Sequence, residues 1–219
     1  MDDFLRARKP EQKEERRAHL LATARAMLGA GCDVADVSLS EIARRAGMAK
    51  SNVYRYFETR EALLLALVWD EWAAWYGALI AAYRKPGRGH RALDALMKQV
   101  AQSLAARPLL CALTAALPSV VERNLSDATV FDFKVRSLEF FGETAQFFER
   151  CAPEVAAESY AALIHDTVAL LAGLHAFSHP APNVARVLKS PELKLFRRDF
   201  ASDLERMLLA LAHALPKRV

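Results

Sequence analysis

Residues 38–60, SLSEIARRAGMAKSNVYRYFETR, decide the fold of the first part of this chain, because they encode two short helices separated by a glycine turn. Ser38 and Glu41 have the spacing of a capping box, in which the serine hydroxyl accepts from the amide of Glu41 and the Glu41 side chain reaches back to the amide of Ser38. A helix is therefore expected to begin at Ser38 and to end at Gly47, which supplies a left-handed conformation. Its inner face has apolar residues at i, i+3, i+4 spacing: Leu39, Ile42 and Ala43.

The second helix of the pair repeats the inward pattern and turns a polar, basic face outward. Its buried stripe consists of Val53, Tyr56 and Phe57. Its outward face consists of Lys50, Ser51, Asn52, Tyr54 and Arg55. Across residues 38–60, five basic side chains stand against two acidic ones, which is the local charge that suits a phosphate backbone. The pattern predicts a helix-turn-helix whose second helix fits the DNA major groove.

The composition favours an all-α protein. Long runs rich in Ala and Leu, little period-2 alternation, and only 8 Gly and 9 Pro among 219 residues indicate helices rather than a sheet. We expect a three-helix head over residues 1–60, joined by a long helix to a larger helical body over residues 61–219. The predicted segments are an arm at 1–10, helices at 11–30, 61–83, 90–105, 108–124 with a break near Pro118, 128–151, 154–178 and 192–215, a break at Lys85-Pro86-Gly87, and a loop at 179–191.

The helix predicted at 128–151 is apolar around most of its circumference. Phenylalanines repeat every seven residues along one stripe, at Phe133, Phe140 and Phe147. A neighbouring apolar stripe consists of Phe131, Leu138, Phe141 and Phe148. A helix that is apolar on most sides is expected to be buried on most sides, which predicts a central wall of the body. Plain core packing and the lining of a ligand cavity both remain open for it.

The body also contains candidates for a ligand pocket and a dimer interface. The candidate pocket residues are Trp72, Tyr76, Met97, Phe141, Phe148 and His175. Walls that are mostly apolar favour a hydrophobic or aromatic ligand. Helices 154–178 and 192–215 carry an excess of Leu, Ala and Phe, and they could pair with their copies across a two-fold axis. Because helix 61–83 carries three tryptophans, we hypothesise that a ligand favours one tilt of this helix and so alters the separation of two heads.

Other classes of protein fit the sequence less well. The chain opens on MDDFLRARKP, which is not a secretory signal, and no apolar run is expected to reach the length of a membrane span, so a cytoplasmic protein without a membrane partner is predicted. The three cysteines form no CxxC pair and are interpreted as buried or partly buried thiols. No cofactor is expected. No nucleophile elbow, phosphate loop or productive carboxylate pair indicates an enzyme.

Metal sensing and constitutive DNA binding remain as alternatives. His165, Asp166, His175 and His179 fall in one region. Residues 165 and 175 of one helix lie about 15 Å apart, too far to share an ion, and Pro180 disfavours helical geometry at His179. No metal site is therefore assigned. A constitutive DNA-binding protein would show no change of operator affinity with any ligand.

The head resembles the TetR family of bacterial transcriptional regulators. The shared residues are Ile42-Ala43, Ala46-Gly47, Lys50-Ser51, Tyr54-Arg55-Tyr56-Phe57, Arg60-Glu61 and Leu63-Leu64. The match spans about residues 15–65 and fixes identities across the turn, whereas the body shares only a helical layout and the stretch GLHAFSHPAP. The resemblance implies a ligand-responsive repressor that binds a palindromic operator as a homodimer through two heads.

The resemblance also implies roles for individual residues of the head. Lys50, Ser51 and Asn52 are implied to contact base edges or phosphates, Tyr54 and Arg55 the groove and phosphates, and Arg60 to act as a phosphate clamp, whereas Tyr56 resembles a core and wedge residue. The full set of candidate DNA contacts is Ser38, Arg44, Arg45, Lys50, Ser51, Asn52, Tyr54, Arg55, Tyr56 and Arg60. Two positions depart from the family pattern. Ala49 stands where members have a Ser or Thr cap, so the second helix is expected to begin later or to be capped less well. Ser51 replaces a common glycine and adds a hydroxyl.

Overall fold

The computed structural model describes residues 10–83 and 90–218. The regular elements of this part of the chain are all helices, apart from an isolated β-bridge between Val155 and Lys217, which confirms the all-α prediction. The helices are α1 (Pro10–Gly29), α2 (Leu39–Arg45), α3 (Lys50–Val53), α4 (Arg60–Ala82), α5 (His90–Ala105), α6 (Pro108–Ala116), α7 (Asp127–Cys151), α8 (Ala157–Ser178), α9 (Pro182–Val187) and α10 (Phe200–Ala214). The predicted break at Lys85-Pro86-Gly87 and residues 1–9 of the predicted arm lie outside the described residues.

The chain divides into two compact units. The first contains the described residues up to Asp70 together with Ala116–Leu125, and the second contains Glu71–Ala115 with Ser126–Val219. The division therefore falls within α4, and a short segment that is distant in sequence completes the first unit. The domain boundary predicted at residue 60 stays a prediction, whereas the inclusion of residues 116–125 with the head was not expected.

The core of the first unit is formed by the apolar faces that the sequence pattern indicates. Leu20, Ile42, Val53 and Leu63 are fully buried. They come from α1, α2, α3 and the beginning of α4, and α2 packs on both α1 and α3. Burying a side chain of this size contributes roughly 1.5–3 kcal/mol, so these residues supply part of the apolar stabilisation that opposes the conformational entropy of the head.

The second unit is built mainly from two helix pairings, α7 with α8 and α5 with α10. Fully buried side chains along these helices include Leu93, Leu96, Tyr160, Leu171, Leu204 and Leu208. The Tyr160 hydroxyl donates to the carbonyl of Ala152 at 2.8 Å, so its one polar group is paired in the core. Burial raises the pKa of this phenol well above its ordinary range.

Several helix boundaries differ from the predictions. The segment 179–191 is not a loop throughout, because α9 occupies Pro182–Val187. The helix predicted at 192–215 begins only at Phe200, since Arg197 has an extended backbone and Asp199 caps the helix by accepting from the Ser202 amide at 2.9 Å. The break predicted near Pro118 is confirmed: α6 ends at Ala116, and a π-helical turn follows over Leu117–Val121. Proline lacks the amide that would continue the helix.

The expectation that α7 is buried on most sides is wrong for its first half. Phe133, Phe147 and Phe148 are buried, but Phe131 and Leu138 are 67% and 70% exposed. The apolar repeat continues along the whole helix, whereas the neighbouring helices cover mainly its second half. Periodicity reports the apolar faces of a helix and not which of them a single chain covers.

The expectation that no apolar run reaches the length of a membrane span is also wrong, if only the length and composition of the helices are considered. Within the described residues, α4 and α8 are long and apolar enough to cross a membrane. Alanine and leucine account for much of both sequences, which explains how two helices with few charged residues occur in one chain. Only 28% of the apolar stretch of α8 is buried in the single chain.

Candidate nucleic-acid interface

The helix-turn-helix begins and ends where the sequence predicts. The Ser38 hydroxyl accepts from the Glu41 amide at 3.2 Å, which makes Ser38 the N-cap of α2. Gly47 has a φ of 64°, a left-handed conformation that glycine adopts without steric penalty. These two residues fix the length of α2 and the direction in which the chain enters α3.

The second half of the predicted capping box is not formed. The Glu41 carboxylate instead accepts from the guanidinium groups of Arg44 at 2.8 and 2.7 Å and of Arg45 at 2.7 Å. The hydrogen bonds from Arg44 and then Arg45 lower the pKa of Glu41 to about 2. Both arginines remain exposed on the surface of the head. The i, i+3 and i, i+4 spacing of the three residues is the signal that could have predicted these pairs.

Helix α3 is short and lacks a side-chain cap. Ala49 is its N-cap residue with extended backbone angles and makes no side-chain hydrogen bond, which confirms the weaker capping predicted there. The α-helix ends at Val53 rather than at Phe57, and the chain continues in a tight turn in which the amide of Tyr56 donates to Val53 at 2.9 Å. Buried Val53 and Phe57 hold this segment onto the head.

The outward face of α3 and its following turn is open to a ligand as large as DNA. Lys50, Ser51, Tyr54 and Arg55 are exposed, and Tyr54 keeps 47% of its surface accessible although it is aromatic. Asn52 and Tyr56 are half-buried at the edge of the same segment. The DNA contacts assigned to these six residues and to Ser38, Arg44 and Arg45 stay predictions, and their positions fit a groove-facing surface.

Arg60 is positioned differently from the other candidate DNA contacts. Its Nη1 donates to the backbone carbonyl of Ala35 at 2.7 Å and to that of Val37 at 3.4 Å, and its Nε and Nη2 donate to Glu61 at 3.1 and 2.9 Å. The guanidinium therefore ties the start of α4 to the turn that precedes α2. Its role as a phosphate clamp stays a prediction, and a phosphate would have to share it with these partners.

Two residues to which the sequence interpretation assigned no role complete this network. Glu61 is only 7% exposed, and its carboxylate also accepts from the Asn124 amide group at 3.4 Å. Asn124 belongs to the segment Ala116–Leu125 that folds with the head. No local pattern indicates a partnership across 63 positions. The side chains of Asn124, Glu61 and Arg60 thus link this segment to the beginning of the helix-turn-helix.

The candidate ligand residues of the body fall into different surroundings. Trp72 and Tyr76 contact Phe140 edge-on, with ring centroids 5.9 and 5.5 Å apart. The Tyr76 hydroxyl donates to the backbone carbonyl of Glu143 at 3.1 Å. Met97 and Phe148 are almost fully buried, with 1% and 2% exposure, and Phe141 is half-buried. Trp72 and Tyr76 therefore meet one face of α7, and the assignment of the six residues to one pocket stays a prediction.

His175 makes its ring contacts near the end of α8. Its ring stacks on His179 with centroids 4.3 Å apart and meets Phe200 at 6.0 Å. Burial, followed by the charge of His179, lowers the pKa of His175, which favours the neutral form of the ring. Within the described part of the chain, no group of three His, Cys, Asp or Glu side chains is arranged to hold a metal ion.

Two family models match the chain on either side of residue 68. The model described as bacterial regulatory proteins, tetR family, matches residues 20–67. The model described as tetracyclin repressor-like, C-terminal domain, matches residues 69–218. No curated protein sequence matches the chain.

The first of two similar solved structures shows the same fold at low sequence identity. A TetR transcriptional regulator from Rhodococcus sp. RHA1 is 17% identical, with a TM-score of 0.57 over 92% of this chain and 96% of that one. A TetR family transcriptional regulator from Chloroflexus aurantiacus J-10-FL is 21% identical, with a TM-score of 0.46 over 97% of this chain and 96% of that one.

Proposed function

Because the chain belongs to the TetR family of bacterial regulatory proteins and is a DNA-binding transcriptional regulator, we propose that it acts as a homodimeric repressor that a small molecule releases from a palindromic operator. The observation that carries the proposal is the exposed polar face of α3 and its following turn, held in place by buried Val53 and Phe57. We place its action in the cytoplasm, where the DNA is, and assign it no catalytic step.

The head supplies both kinds of contact that operator binding needs. Lys50 and Arg55 are exposed cations that suit phosphates, and Tyr54 presents an aromatic ring with a hydroxyl to the groove. Arg44 and Arg45 lie on the neighbouring helix and add positive charge beside them. Phosphate contacts set orientation and base-edge contacts set sequence preference, so a small surface of this composition is sufficient for one half-site.

A second copy of the chain is the partner that would cover the open face of α8. Along this face the side chains are small and exposed, at Ala162, Ala169, Gly173 and Ala176. Their spacing of seven, four and three positions keeps them on one side of the helix and allows close approach of another helix. Helix α10 has a comparable exposed stripe at Ala210, Leu211 and Ala214. Pairing of these two helices with their copies gives a four-helix interface.

Two heads related by a two-fold axis read two half-sites of opposite orientation. Half-sites must lie about 34–36 Å apart, or a multiple of that distance, for both recognition segments to enter the major groove from one side. A hydrophobic or aromatic ligand in the body, beside Trp72 and Tyr76, would favour one conformation of α4 and so move the heads away from that spacing. The ligand acts by binding one conformation more tightly than the other.

The test begins with selection of an operator from random DNA by the purified protein, followed by a fluorescence anisotropy titration. We expect Lys50→Ala and Tyr54→Ala to weaken binding about 5-fold to 150-fold each, because a base contact contributes about 1–3 kcal/mol. Lys50→Ala should also reduce the salt slope by about one unit if it contacts phosphate. The matched control is Lys98→Ala, which removes an exposed lysine of α5 in the other unit.

Unchanged operator affinity in both head variants, with both proteins folded, would contradict the assigned interface. A ligand response is tested separately, by titrating apolar and aromatic compounds into the protein–operator complex. A compound that lowers operator affinity supports a ligand-controlled repressor. If no such compound changes the affinity, the protein is a constitutive DNA-binding regulator.

A further inference from the structure

A cleft of about 370 Å³ lies in the second unit, where α8 ends and the chain passes through α9 toward α10. Its size is at the lower end of the range of about 300–1,000 Å³ that ligand pockets have. The lining includes the apolar side chains Phe177, Pro180, Ala185 and Leu188, and the cations Lys189, Arg197 and Arg198, but no carboxylate. None of these residues belongs to the pocket proposed beside Trp72.

Arg197 builds the basic side of the cleft. Its Nε donates to the carbonyl of Leu188 at 2.6 Å, and its Nη2 donates to the carbonyls of Lys189 and Ser190 at 2.8 and 2.9 Å. The guanidinium therefore binds three consecutive backbone carbonyls that directly follow α9, including that of Lys189. In the described part of the chain, its Nη1 has no hydrogen-bond partner.

The other two cations of the cleft are less tightly held. Arg198 forms a long ion pair with Asp203 at 3.7 Å, and Asp203 shares its charge with Arg206, from which it accepts a hydrogen bond at 2.7 Å. Lys189 makes no ion pair within the described residues. Glu192, the nearest carboxylate in sequence to Lys189, accepts from the Ser190 hydroxyl instead.

The cleft also contains an unpaired buried hydroxyl. The Oγ of Ser178 is buried and has no hydrogen-bond partner in the part of the chain that the structure describes. Other buried or half-buried hydroxyls of the helices donate to the carbonyl four residues earlier, at Thr114, Ser137, Thr144 and Thr167. Ser178 is the last residue of α8 and departs from this pattern. Ser178 lines the cleft, and an acceptor atom there would satisfy its hydroxyl group once the side chain rotates toward the cleft.

We propose that this cleft binds an amphipathic organic anion, namely a carboxylate with an aliphatic or aromatic body. The carboxylate pairs with Arg198 and Lys189 and accepts from the Ser178 hydroxyl, because charge-assisted hydrogen bonds from guanidinium to carboxylate are the strong ones. The body of the ligand packs against Leu188 and Phe177, which is 72% exposed in the single chain. The site requires both parts of the ligand, a negative head and an apolar body.

Octanoate and 1-octanol test this requirement, because they share the apolar chain and differ in charge. Isothermal titration calorimetry on the full-length protein without DNA should show binding of octanoate and at least tenfold weaker binding of octanol. The double substitution K189Q/R198Q should weaken octanoate binding at least tenfold, and S178A should weaken it severalfold. The matched control R186Q/K194Q removes two charges from exposed positions of the same segment and should change the affinity less than twofold.

Three results would overturn the proposal: equal binding of octanol and octanoate, equal losses in the double variant and its control, or unchanged binding in the double variant. Analytical ultracentrifugation of the same proteins tests the alternative that a second copy of the chain, rather than a ligand, occupies the cleft. If K189Q/R198Q changes the oligomeric state and the control does not, the cleft is an interface with a second copy and the ligand proposal is wrong. Because no DNA is present, the outcome does not depend on the operator.

Discussion

Substituting Ala49 by serine should stabilise the head, because this position is an N-cap without a capping side chain. Ala49 has φ −62° and ψ 138°, an extended conformation that a serine cap adopts without strain. Its carbonyl already accepts from the Asn52 amide at 2.9 Å, so a serine hydroxyl would take the neighbouring amide of Ser51 or share that of Asn52. The residue is exposed, so the added hydroxyl displaces no core side chain.

The expected gain is about 1 kcal/mol in the free energy of unfolding of the head, with about 0.5–2 kcal/mol as the range for such caps. For a unit of fewer than 100 residues, 1 kcal/mol corresponds to an increase of about 4–8 °C in the melting temperature. Hydrogen exchange of the amides in residues 38–60 measures the change in the head alone. The increase in protection should be about fivefold, since 1.4 kcal/mol is a factor of ten.

Ser38→Ala is the matched opposite change, because Ser38 caps α2 through a hydrogen bond of 3.2 Å to the Glu41 amide. It should lower amide protection by a similar factor. If Ala49→Ser leaves the protection unchanged while Ser38→Ala lowers it, the reasoning about the cap of α3 is refuted. A loss of protection in Ala49→Ser would show that the short helix has a different N-terminal boundary.

Three further predictions concern the dimer face, the acidic residue of the head and the thiols. Gly173→Glu should convert the dimer to monomers in light scattering, because it places a charge on the face proposed to meet the second copy. Circular dichroism should stay unchanged, because a Cβ at Gly173 meets no atom within 4 Å in the single chain. The control Gly77→Glu, where a Cβ is equally unobstructed, should leave the dimer intact. Glu41→Gln should raise operator affinity about 1.5-fold to fivefold, since the Glu41 carboxylate competes with phosphate for Arg44 and Arg45 through exposed ion pairs, which are weak. The pKa of Glu41 is lowered to about 2, so its ion pairs are complete above its ordinary pKa of 4.5 and are lost only as the pH falls toward 2. The gain in operator affinity should therefore be constant between about pH 6 and 8 in anisotropy titrations. A gain that changes with pH in this range would contradict the prediction. Iodoacetamide should label half-buried Cys32 before Cys111, whose pKa burial raises to about 12; equal labelling rates in mass spectrometry would show that the core opens.

Much of the head could be predicted because its signals are local. A cap at Ser38, a left-handed turn at Gly47 and apolar residues at helical spacing each act over four residues or fewer, so the sequence shows them directly. The length of α3 was overestimated because the inward spacing of Val53, Tyr56 and Phe57 continues through a tight turn that is no longer α-helical. The partners of Arg60 could not be predicted, since they depend on how distant segments approach each other.

The body was predicted in outline and less well in detail. The positions of α5, α7 and α8 follow from long apolar repeats, whereas the start of α10 depends on the extended backbone at Arg197 and the cap at Asp199. The helical repeat of apolar residues also does not indicate which part of α7 the rest of the chain covers. The cleft beyond Ser178 was missed because its cations are dispersed between a short helix and the residues just before α10.

The inclusion of Ala116–Leu125 in the first unit has a consequence for protein engineering. A DNA-binding domain is often treated as a transferable unit that can be truncated within its last helix and fused to another ligand-binding domain. In this protein a fragment that ends at Asp70 would lose the side-chain amide of Asn124, which donates to Glu61. Of the two partners described for the nearly buried Glu61 carboxylate, only Arg60 would then remain. A chimaera that keeps the binding specificity of this head therefore needs two transplanted pieces, the N-terminal segment and residues 116–125.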